Sequence, residues 1–560
     1  MSRNRLLATL LGVVAALVLV VGAVSAALLF SGGDDDDGSA SGVTTAGSGG
    51  GEQAATGGQL RLSSGDPVTM DPHLAGDALS AEYIVEVFGG LVTIAPDLAL
   101  ELDIAESWEV SGDGLTYTFR LRPNVVFHNT GRRVTAEDVQ WSLERATSSV
   151  PLGATGPSTT ALAYLGDIVG VREHFFGLAD EIAGITVVDE RTIQFTLTQR
   201  IPPGLFLAKL TYPTAFVVDR QQIESNPRNW TRRPNGTGPY RLREWRLGER
   251  IVLEANQRYH LGVANVEQVL YELSGGSSLT RFENGELDVA GITLADIERA
   301  RDPNSDLNPL YEQFEQFTIS YIAFNVDVPP FDDPDVRRAL ALSIDRKKVA
   351  DVTFSNMLVP ATGILPPQLP GFTPDEKTFQ FDPAAARAAL AASTYGSADN
   401  LPTIVLTEVG GGAQARVDTQ AFLEQWRTEL GIAVEIRQTD FATFLADQDA
   451  GRLQMFNAGW ILDYPDAEDV LDPKFHSRSS LNDFGYANGE VDALLDRARI
   501  EADPELRVQL YQQAERLIIE DVAWIPLYFS SAHVVINPDV EGWFEPPMVI
   551  PRLRFVTVNR

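Results

Sequence analysis

The sequence contains no cysteine among its 560 residues. This excludes disulfides, thiolate metal sites, cysteine nucleophiles and a lipid anchor on an N-terminal cysteine. Histidine is also scarce, with six scattered residues and no pair at the spacing of metal ligands. A Walker Gly-Lys-Ser/Thr motif and a Gly-x-Ser-x-Gly elbow between a strand and a helix are both missing. We therefore predict no catalytic residue, no metal site and no cofactor, and so a protein that is not an enzyme.

Basic residues are fewer than acidic residues. The chain has 44 Lys and Arg against 77 Asp and Glu, for a net charge of -33. A nucleic-acid partner is therefore not expected, because such partners need a basic surface. The apolar fraction of 44% is that of a globular protein, and 560 residues are too many for one hydrophobic core, so two or three domains are expected.

The N-terminus predicts the compartment. Residues 6–30 carry no charge, with arginines before them and Asp34 to Asp37 after them. Such a run is long enough to cross a bilayer, and the positive-inside rule places the remaining chain outside the cytoplasm. We predict a signal or transmembrane anchor over 1–30 and a disordered Gly/Ser/Asp linker over 31–58. The small residues 24–26 would also suit cleavage, so the protein is expected to be either membrane-anchored or secreted, in the periplasm or at the cell exterior.

Alternating side chains predict strands in the first half of the chain. Residues 115–122 alternate strictly between apolar and polar, as in a half-buried strand. Residues 185–188 and 192–198 predict a hairpin, and residues 240–245 and 250–256 predict another.

Helix signals occur in both halves of the chain. Residues 135–138 have the form of a capping box, and Pro334 is typical of a helix start. A strand at 401–409, a helix ending at Gly431 and a strand at 432–436 form a predicted βαβ unit. The first half is therefore expected to be α+β or mixed α/β and the later half to contain parallel strands, and the predicted fold class is α/β.

One stretch, residues 459–466 with the sequence Gly-Trp-Ile-Leu-Asp-Tyr-Pro-Asp, has the chemistry of a ligand site. Trp460 and Tyr464 flank the carboxylate of Asp463, and an acid beside aromatic rings is suited to hold a small cation. The alternative is a hydrophobic turn in which Asp463 or Asp466 caps the next helix.

A second candidate is the glycine run 410–412 before a predicted helix. Its backbone N–H groups could hold an anion, with Arg416 nearby as a ligand-binding residue. The alternative is a plain flexible connection. The acids at 332–335 could suggest a calcium loop, but helix capping explains them better because they lack EF-hand spacing.

Several blocks of the sequence resemble one family. They are residues 104–110 (Ile-Ala-Glu-Ser-Trp-Glu-Val), 121–128 (Leu-Arg-Pro-Asn-Val-Val-Phe-His), 135–143, 236–240 (Gly-Thr-Gly-Pro-Tyr), 284–289, 324–325, 330–339, 459–466 and 524–528. In this order they resemble bacterial extracellular solute-binding proteins of family 5, the peptide- and nickel-type group that serves ABC importers. The blocks extend over most of residues 60–555.

The resemblance implies a two-lobed periplasmic-binding-protein-like fold with an extra small domain in the first lobe. The first lobe would comprise 59–95, 200–324 and 526–560, the extra subdomain 96–199, and the second lobe 325–525. The chain crossings near Asn325 and Ile525 would form the hinge.

The resemblance also implies a site. Asp463 matches the acid that pairs with the ligand's free α-ammonium in peptide-binding relatives. Trp460 and Tyr464 would line the cavity or else pack in the core beneath it. Tyr83 is a candidate for the opposite wall, or a residue of an amphipathic helix.

The predicted function is thus peptide capture by the extracytoplasmic component of an ABC importer. Expected partners are a di- or oligopeptide, the permease subunits with their ATPases, and the cytoplasmic membrane through the N-terminal helix, with the protein itself a monomer. Three alternatives stay open: another solute such as a nickel chelate, a sugar or a different cation; a ligand-sensing receptor ectodomain; and a hydrolase.

Overall fold

The structure is a computed structural model that describes residues 57–375, 378–411 and 414–560. The predicted anchor over 1–30 and the linker up to residue 56 lie outside the described residues. Within the described ranges, no helix is long and apolar enough to cross a membrane.

The strands form several separate sheets. In chain order they are β1 Gln59–Ser63, β2 Val92–Ile94, β3 Leu100–Leu102, β4 Ala105–Val110, β5 Thr116–Leu121, β6 Ile185–Asp189, β7 Thr192–Thr196, β8 Tyr240–Arg246, β9 Arg250–Ala255, β10 Gln268–Glu272, β11 Val289–Gly291, β12 Tyr311–Glu315, β13 Thr318–Phe324, β14 Val359–Pro360, β15 Ile404–Val409, β16 Val434–Thr439, β17 Met455–Ile461, β18 Trp524–Phe529, β19 Ser531–Ile536, β20 Val540–Glu541 and β21 Thr557–Val558.

The helices are distributed along the whole described chain. They are α1 Ala78–Val87, α2 Ala136–Ala146, α3 Ala161–Leu165, α4 Val171–Phe175, α5 Pro203–Lys209, α6 Arg220–Ser225, α7 Ser278–Glu283, α8 Ile297–Arg301, α9 Pro334–Leu342, α10 Arg346–Lys348, α11 Pro383–Ala392, α12 Val417–Leu430, α13 Phe441–Asp449, α14 Glu468–Phe475, α15 Gly489–Ile500 and α16 Pro504–Glu520.

The sheet β4-β5-β7-β6 lies wholly within residues 96–199. The predicted strand at 115–122 is confirmed as β5, whose Tyr117 and Phe119 are fully buried while its alternate residues face outward. The predicted hairpin is confirmed by the antiparallel pairing of β6 with β7. Helix α2 packs beside it and begins with the predicted capping box, in which Thr135 and Asp138 bond each other's backbone N–H.

A six-stranded sheet with the order β14-β18-β13-β17-β15-β16 dominates the later part of the chain. The predicted βαβ unit is confirmed, because β15 and β16 are parallel neighbours joined by α12. Helix α12 buries Phe422 and Trp426 and ends at Gly431, whose φ of 71° is the left-handed conformation that favours glycine at a helix end. Asp333 caps α9 through the N–H of Asp335, as the capping interpretation of the 332–335 acids predicts.

Neighbouring strands connect the earlier and later segments of the chain. Strand β13 ends at Phe324 and pairs with both β17 and β18. Strand β19 follows β18 directly and pairs with β11 and β12, so the C-terminal segment returns to earlier residues. A further sheet, β1-β10-β9-β8, contains the predicted second hairpin as β8 and β9. The exact domain boundaries and the hinge positions stay predictions.

Candidate functional site

Residues 459–466 bridge the end of β17 and the start of α14. The chain leaves the sheet after Ile461, and the N–H of Leu462 still donates to Phe317 O at 2.9 Å. Ala467 directly precedes α14, and Asp466 before it accepts the N–H of Glu468 on its Oδ1 at 2.9 Å. Asp463 accepts no such backbone N–H from the helix, which leaves its side chain available for another contact.

The side chain of Asp463 accepts a hydrogen bond from a distant part of the chain. Its Oδ2 is bonded by the hydroxyl of Tyr164, a residue of α3 that is 1% exposed. The Tyr164 ring stacks on Tyr212 with centroids 4.2 Å apart and meets Tyr464 edge-on at 6.3 Å. Asp463 is itself only partly buried, so it lies neither in open solvent nor bonded wholly within its own turn.

A second carboxylate lies beside Asp463. The Oδ2 of Asp469 accepts the backbone N–H of Asp463 at 2.8 Å, and the indole N–H of Trp460 points to the same oxygen at 3.4 Å. Asp469 is 0% exposed, and its Oδ1 finds no hydrogen-bond partner among the described residues. The pair thus contains one carboxylate oxygen that is buried and has no donor.

Burial raises the pKa of both acids, and repulsion by Asp463 adds to the shift of Asp469. Burial raises the pKa of Asp463 to about 7, although the hydrogen bond from Tyr164 opposes the shift. Burial and the charge of Asp463 raise the pKa of Asp469 well above its usual range. Two carboxyl groups that share a site cannot both ionise easily unless a cation is present.

Cations do neutralise the other carboxylates around this turn. The ion pairs are Lys209–Asp167 at 2.9 Å, Lys209–Glu468 at 2.7 Å, Arg499–Asp472 at 2.9 Å and Arg507–Asp466 at 2.7 Å. Although burial opposes its charged form, the carboxylates of Asp167 and Glu468 raise the pKa of Lys209. In the described part of the chain, neither Asp463 nor Asp469 forms an ion pair. The arrangement can therefore accept a positive charge from outside the protein.

The two aromatic residues predicted beside Asp463 have different surroundings. Trp460 is partly exposed, and Lys474 Nζ lies 4.9 Å from its ring centroid while bound to Asp483 at 2.8 Å. Tyr464 is 1% exposed, and its hydroxyl donates to Glu468. Trp460 therefore offers free ring surface near Asp469, whereas Tyr464 packs beneath the turn. Their roles as ligand contacts stay predictions.

Tyr83 and Arg416 do not join the Asp463 cluster through any hydrogen bond or ring contact in the described residues. Tyr83 is fully buried in α1, donates to Gly65 O at 2.8 Å and packs on Tyr271. Arg416 precedes α12, and its guanidinium pairs with Asp418 at 3.1 Å. Gly412 of the proposed anion loop lies outside the described residues. Ligand roles for Tyr83 and Arg416 stay predictions.

Sequence reasoning missed Tyr164, Lys209 and Asp469. Tyr164 is 299 positions from Asp463 in the chain, so no local pattern links the two. Asp469 lies in the first turn of α14, where an acid is usually explained by the helix dipole. The local signal for Lys209 is its position at the end of the apolar helix α5.

Comparison with known proteins connects this geometry to a family. The family model for "Bacterial extracellular solute-binding proteins, family 5 Middle" matches residues 99–482. The dipeptide-binding protein DppE of Bacillus subtilis is 27% identical over 512 residues, which cover 89% of this chain and 91% of the relative. The probable deoxycholate-binding periplasmic protein YgiS of Escherichia coli is 28% identical over 490 residues, covering 85% of this chain and 89% of the relative.

Solved structures of peptide-binding proteins are also similar to this chain. A periplasmic oligopeptide-binding protein, OppAIV of Borrelia burgdorferi, superposes with a TM-score of 0.80 at 25% identity, covering 89% of this chain and 99% of that one. The described residues thus have the two-lobed fold of periplasmic peptide-binding proteins, with mixed α and β content. This confirms the two-lobed fold of mixed α and β content. The extra small domain in the first lobe stays a prediction, and the predicted N-terminal helix lies outside the described residues.

Proposed function

The chain belongs to the bacterial extracellular solute-binding proteins of family 5, and we propose that it is the extracytoplasmic binding component of an ABC importer that captures peptides. One observation carries the proposal. Asp463 and Asp469 lie together without an ion-pair partner in the described residues, in a region where the neighbouring carboxylates are neutralised. A peptide's α-ammonium supplies the missing positive charge.

The remaining surroundings of Asp463 suit such a ligand. Tyr164 and Tyr464 exclude water on one side, and a charge pair is stronger where water is excluded. The partly exposed Trp460 ring adds a face on which a cation can lie. We propose that the peptide backbone is bound extended, as an added strand, which gives affinity with little dependence on side chains.

Capture requires a ligand to reach a partly buried carboxylate, so the proposal includes movement of the lobes. The predicted lobes, 59–95 with 200–324 and 526–560, and 325–525, would open about the chain crossings near Asn325 and Ile525. Closure would bring Tyr164 and Lys209 onto the turn that carries Asp463. The closed form would then dock on the permease, whose ATPases supply the energy for transport, and the binding protein would have no chemistry of its own.

Location and assembly are proposed from the sequence. Family members act outside the cytoplasm, and we propose that residues 1–30 either hold this chain at the membrane or are removed on secretion. We propose a monomer.

A different solute is the main competing function. One relative is named as a probable deoxycholate-binding protein, and the aromatic rings near Asp463 could pack on an apolar ligand. Deoxycholate, however, carries a carboxylate, which two acids without a cation would repel. A nickel chelate or a sugar has no comparable support from the charges at this site. The geometry favours a cationic ligand.

Isothermal calorimetry with a free and an N-acetylated tripeptide of the same sequence tests the proposal. The free peptide should bind, and the acetylated one should lose at least about thirtyfold in affinity because it has no charge for Asp463. Equal affinity for both would contradict the proposed role of the ammonium. Mass spectrometry of whatever co-purifies with the protein would identify the solute independently, and a non-peptide ligand there would overturn the peptide assignment.

A further inference from the structure

When both of its carboxyl groups are ionised, the acid pair carries one charge more than a single α-ammonium can neutralise. Four carboxylates near the turn, those of Asp167, Asp466, Glu468 and Asp472, each lie within 3 Å of a cation. Asp463 and Asp469 have no such partner in the described ranges. One ligand ammonium would therefore leave one buried acid without a counter-charge, and a buried acid of that kind is costly.

Asp469 is held in a way that leaves half of its carboxyl group unused. Its Oδ2 binds the N–H of Asp463 and faces the indole N–H of Trp460. Its Oδ1 is buried and has no donor among the described residues. The bond to the Asp463 backbone holds Asp469 beside Asp463. A cation that pairs with Asp469 would therefore act next to one that pairs with Asp463.

The lysine that lies over Trp460 is already paired with another carboxylate. Lys474 lies over the Trp460 ring, but its Nζ donates to Asp483 at 2.8 Å and to Leu481 O at 3.0 Å. The charge for Asp469 must therefore come from a proton or from the ligand. A retained proton would neutralise Asp469 without contributing to ligand selectivity. A second cation on the ligand would instead make the site prefer ligands that carry two positive charges.

We propose that Asp463 and Asp469 form a subsite for two positive charges, so that this protein prefers peptides whose first residue is basic. Such a residue brings its side-chain cation and the α-ammonium to the same buried end. The inference rests on the proposed function, because it assumes that the peptide's amino terminus binds at Asp463. It names the substrate class as peptides with a lysine-like first residue and assigns Asp469 as a specificity-determining residue.

The test compares tripeptides that differ only in the charge of one residue. Lys-Ala-Ala and norleucine-Ala-Ala have first side chains of nearly the same length, and Ala-Ala-Lys with Ala-Ala-norleucine forms the matched pair at the far end. We expect Lys-Ala-Ala to bind roughly tenfold or more tightly than its norleucine partner. The far-end pair should differ by less than about threefold, which controls for general attraction to a chain of net charge -33.

The variant Asp469→Asn tests which residue is responsible. Asparagine keeps an oxygen for the N–H of Asp463 but removes the charge, so the preference for Lys-Ala-Ala should fall below about threefold while the norleucine peptide still binds. Thermal melting of the variant checks that it folds. If it does not fold, the comparison of the four peptides on the natural protein still decides the proposal.

The outcomes distinguish a failure of the two-charge subsite from a failure of peptide binding itself. If none of the four tripeptides binds the natural protein, the peptide-binding function itself has failed. If all bind with equal affinity, or if Asp469→Asn keeps the full preference for a first lysine, peptide binding stands and the two-charge subsite is overturned. In the case of equal affinity, a proton on Asp469 is the neutralising charge.

Discussion

The ammonium group of Lys209 lies 2.7 Å from the carboxylate of Glu468, and both side chains are buried. The same ammonium is 2.9 Å from Asp167, so one lysine joins two carboxylates that lie far apart in the sequence. With Tyr164 and Asp463, it connects the turn after β17 to helices from the first half of the chain. These contacts hold the candidate site together in the structure.

Replacing Lys209 by methionine should destabilise the protein strongly. The change keeps most of the side-chain length but leaves Asp167 and Glu468 buried without the ammonium between them, and Arg499 lies 3.9 Å from Glu468. We expect a loss of about 3–5 kcal/mol in the free energy of unfolding. Urea denaturation measures it, with Lys347→Met as the matched control. Lys347 is 78% exposed and should cost less than about 0.5 kcal/mol. A loss of similar size in both variants would show that the buried ion pairs of Lys209 contribute little to stability.

Removing the Asp463 carboxylate should weaken peptide binding. In Asp463→Ala the ligand ammonium would be desolvated without a partner, and we expect a loss of about 2–5 kcal/mol in binding free energy. This corresponds to roughly thirtyfold to several thousandfold in the dissociation constant. Calorimetry with a free tripeptide measures it. Asp375→Ala, at an exposed position, changes the net charge equally and should bind as the natural protein does. Unchanged affinity in a folded Asp463→Ala variant would remove this residue from the site.

The Tyr164 hydroxyl should stabilise the ligand-free protein through Asp463. Tyr164→Phe leaves the partly buried carboxylate without its donor, so we expect a loss of about 1–3 kcal/mol on unfolding. Tyr117→Phe is the control, since the buried Tyr117 hydroxyl has no hydrogen-bond partner among the described residues. That variant should change stability by less than about 0.5 kcal/mol. Equal effects would show that the bond to Asp463 contributes little.

The acid pair should make the empty protein less stable as pH rises. The pKa of Asp463 is raised from 3.8 to about 7 on folding, so the folded state binds more protons than the unfolded state between these values. Its stabilising contribution is complete below pH 4 or so and is lost as pH rises through about 7, with a slope of at most about 1.4 kcal/mol per pH unit for one proton. Asp469, whose pKa is also raised, acts in the same direction.

Urea denaturation between about pH 5 and pH 8 measures this effect. The natural protein is compared with the double variant Asp463→Asn/Asp469→Asn, because the difference cancels other titrating groups. Buried histidines such as His73 and His128, whose pKa values are lowered to about 4, act in the opposite direction and are present in both proteins. A difference that does not change with pH would mean that the pair titrates as ordinary surface acids do.

Local patterns predicted the elements that depend on nearby residues. The strand alternation around Tyr117, the capping box at Thr135 and the glycine stop at Gly431 each appear as expected. In these cases the physical cause lies within a few positions, either as side-chain period or as backbone N–H groups that need a cap. Local patterns did not distinguish Asp466, whose side chain accepts the N–H of Glu468 in the structure, from Asp463.

The sequence by itself determined the absence of cysteine chemistry, the acidic surface, the α/β class and the resemblance that singled out Asp463. Only the tertiary structure decided what surrounds that carboxylate. Tyr164 reaches it from 299 positions away, Lys209 pairs with the nearby Glu468, and Asp469 becomes its neighbour through the turn into α14. The electrostatics of a site depend on distances and burial between such segments, and a sequence pattern records only spacing along the chain.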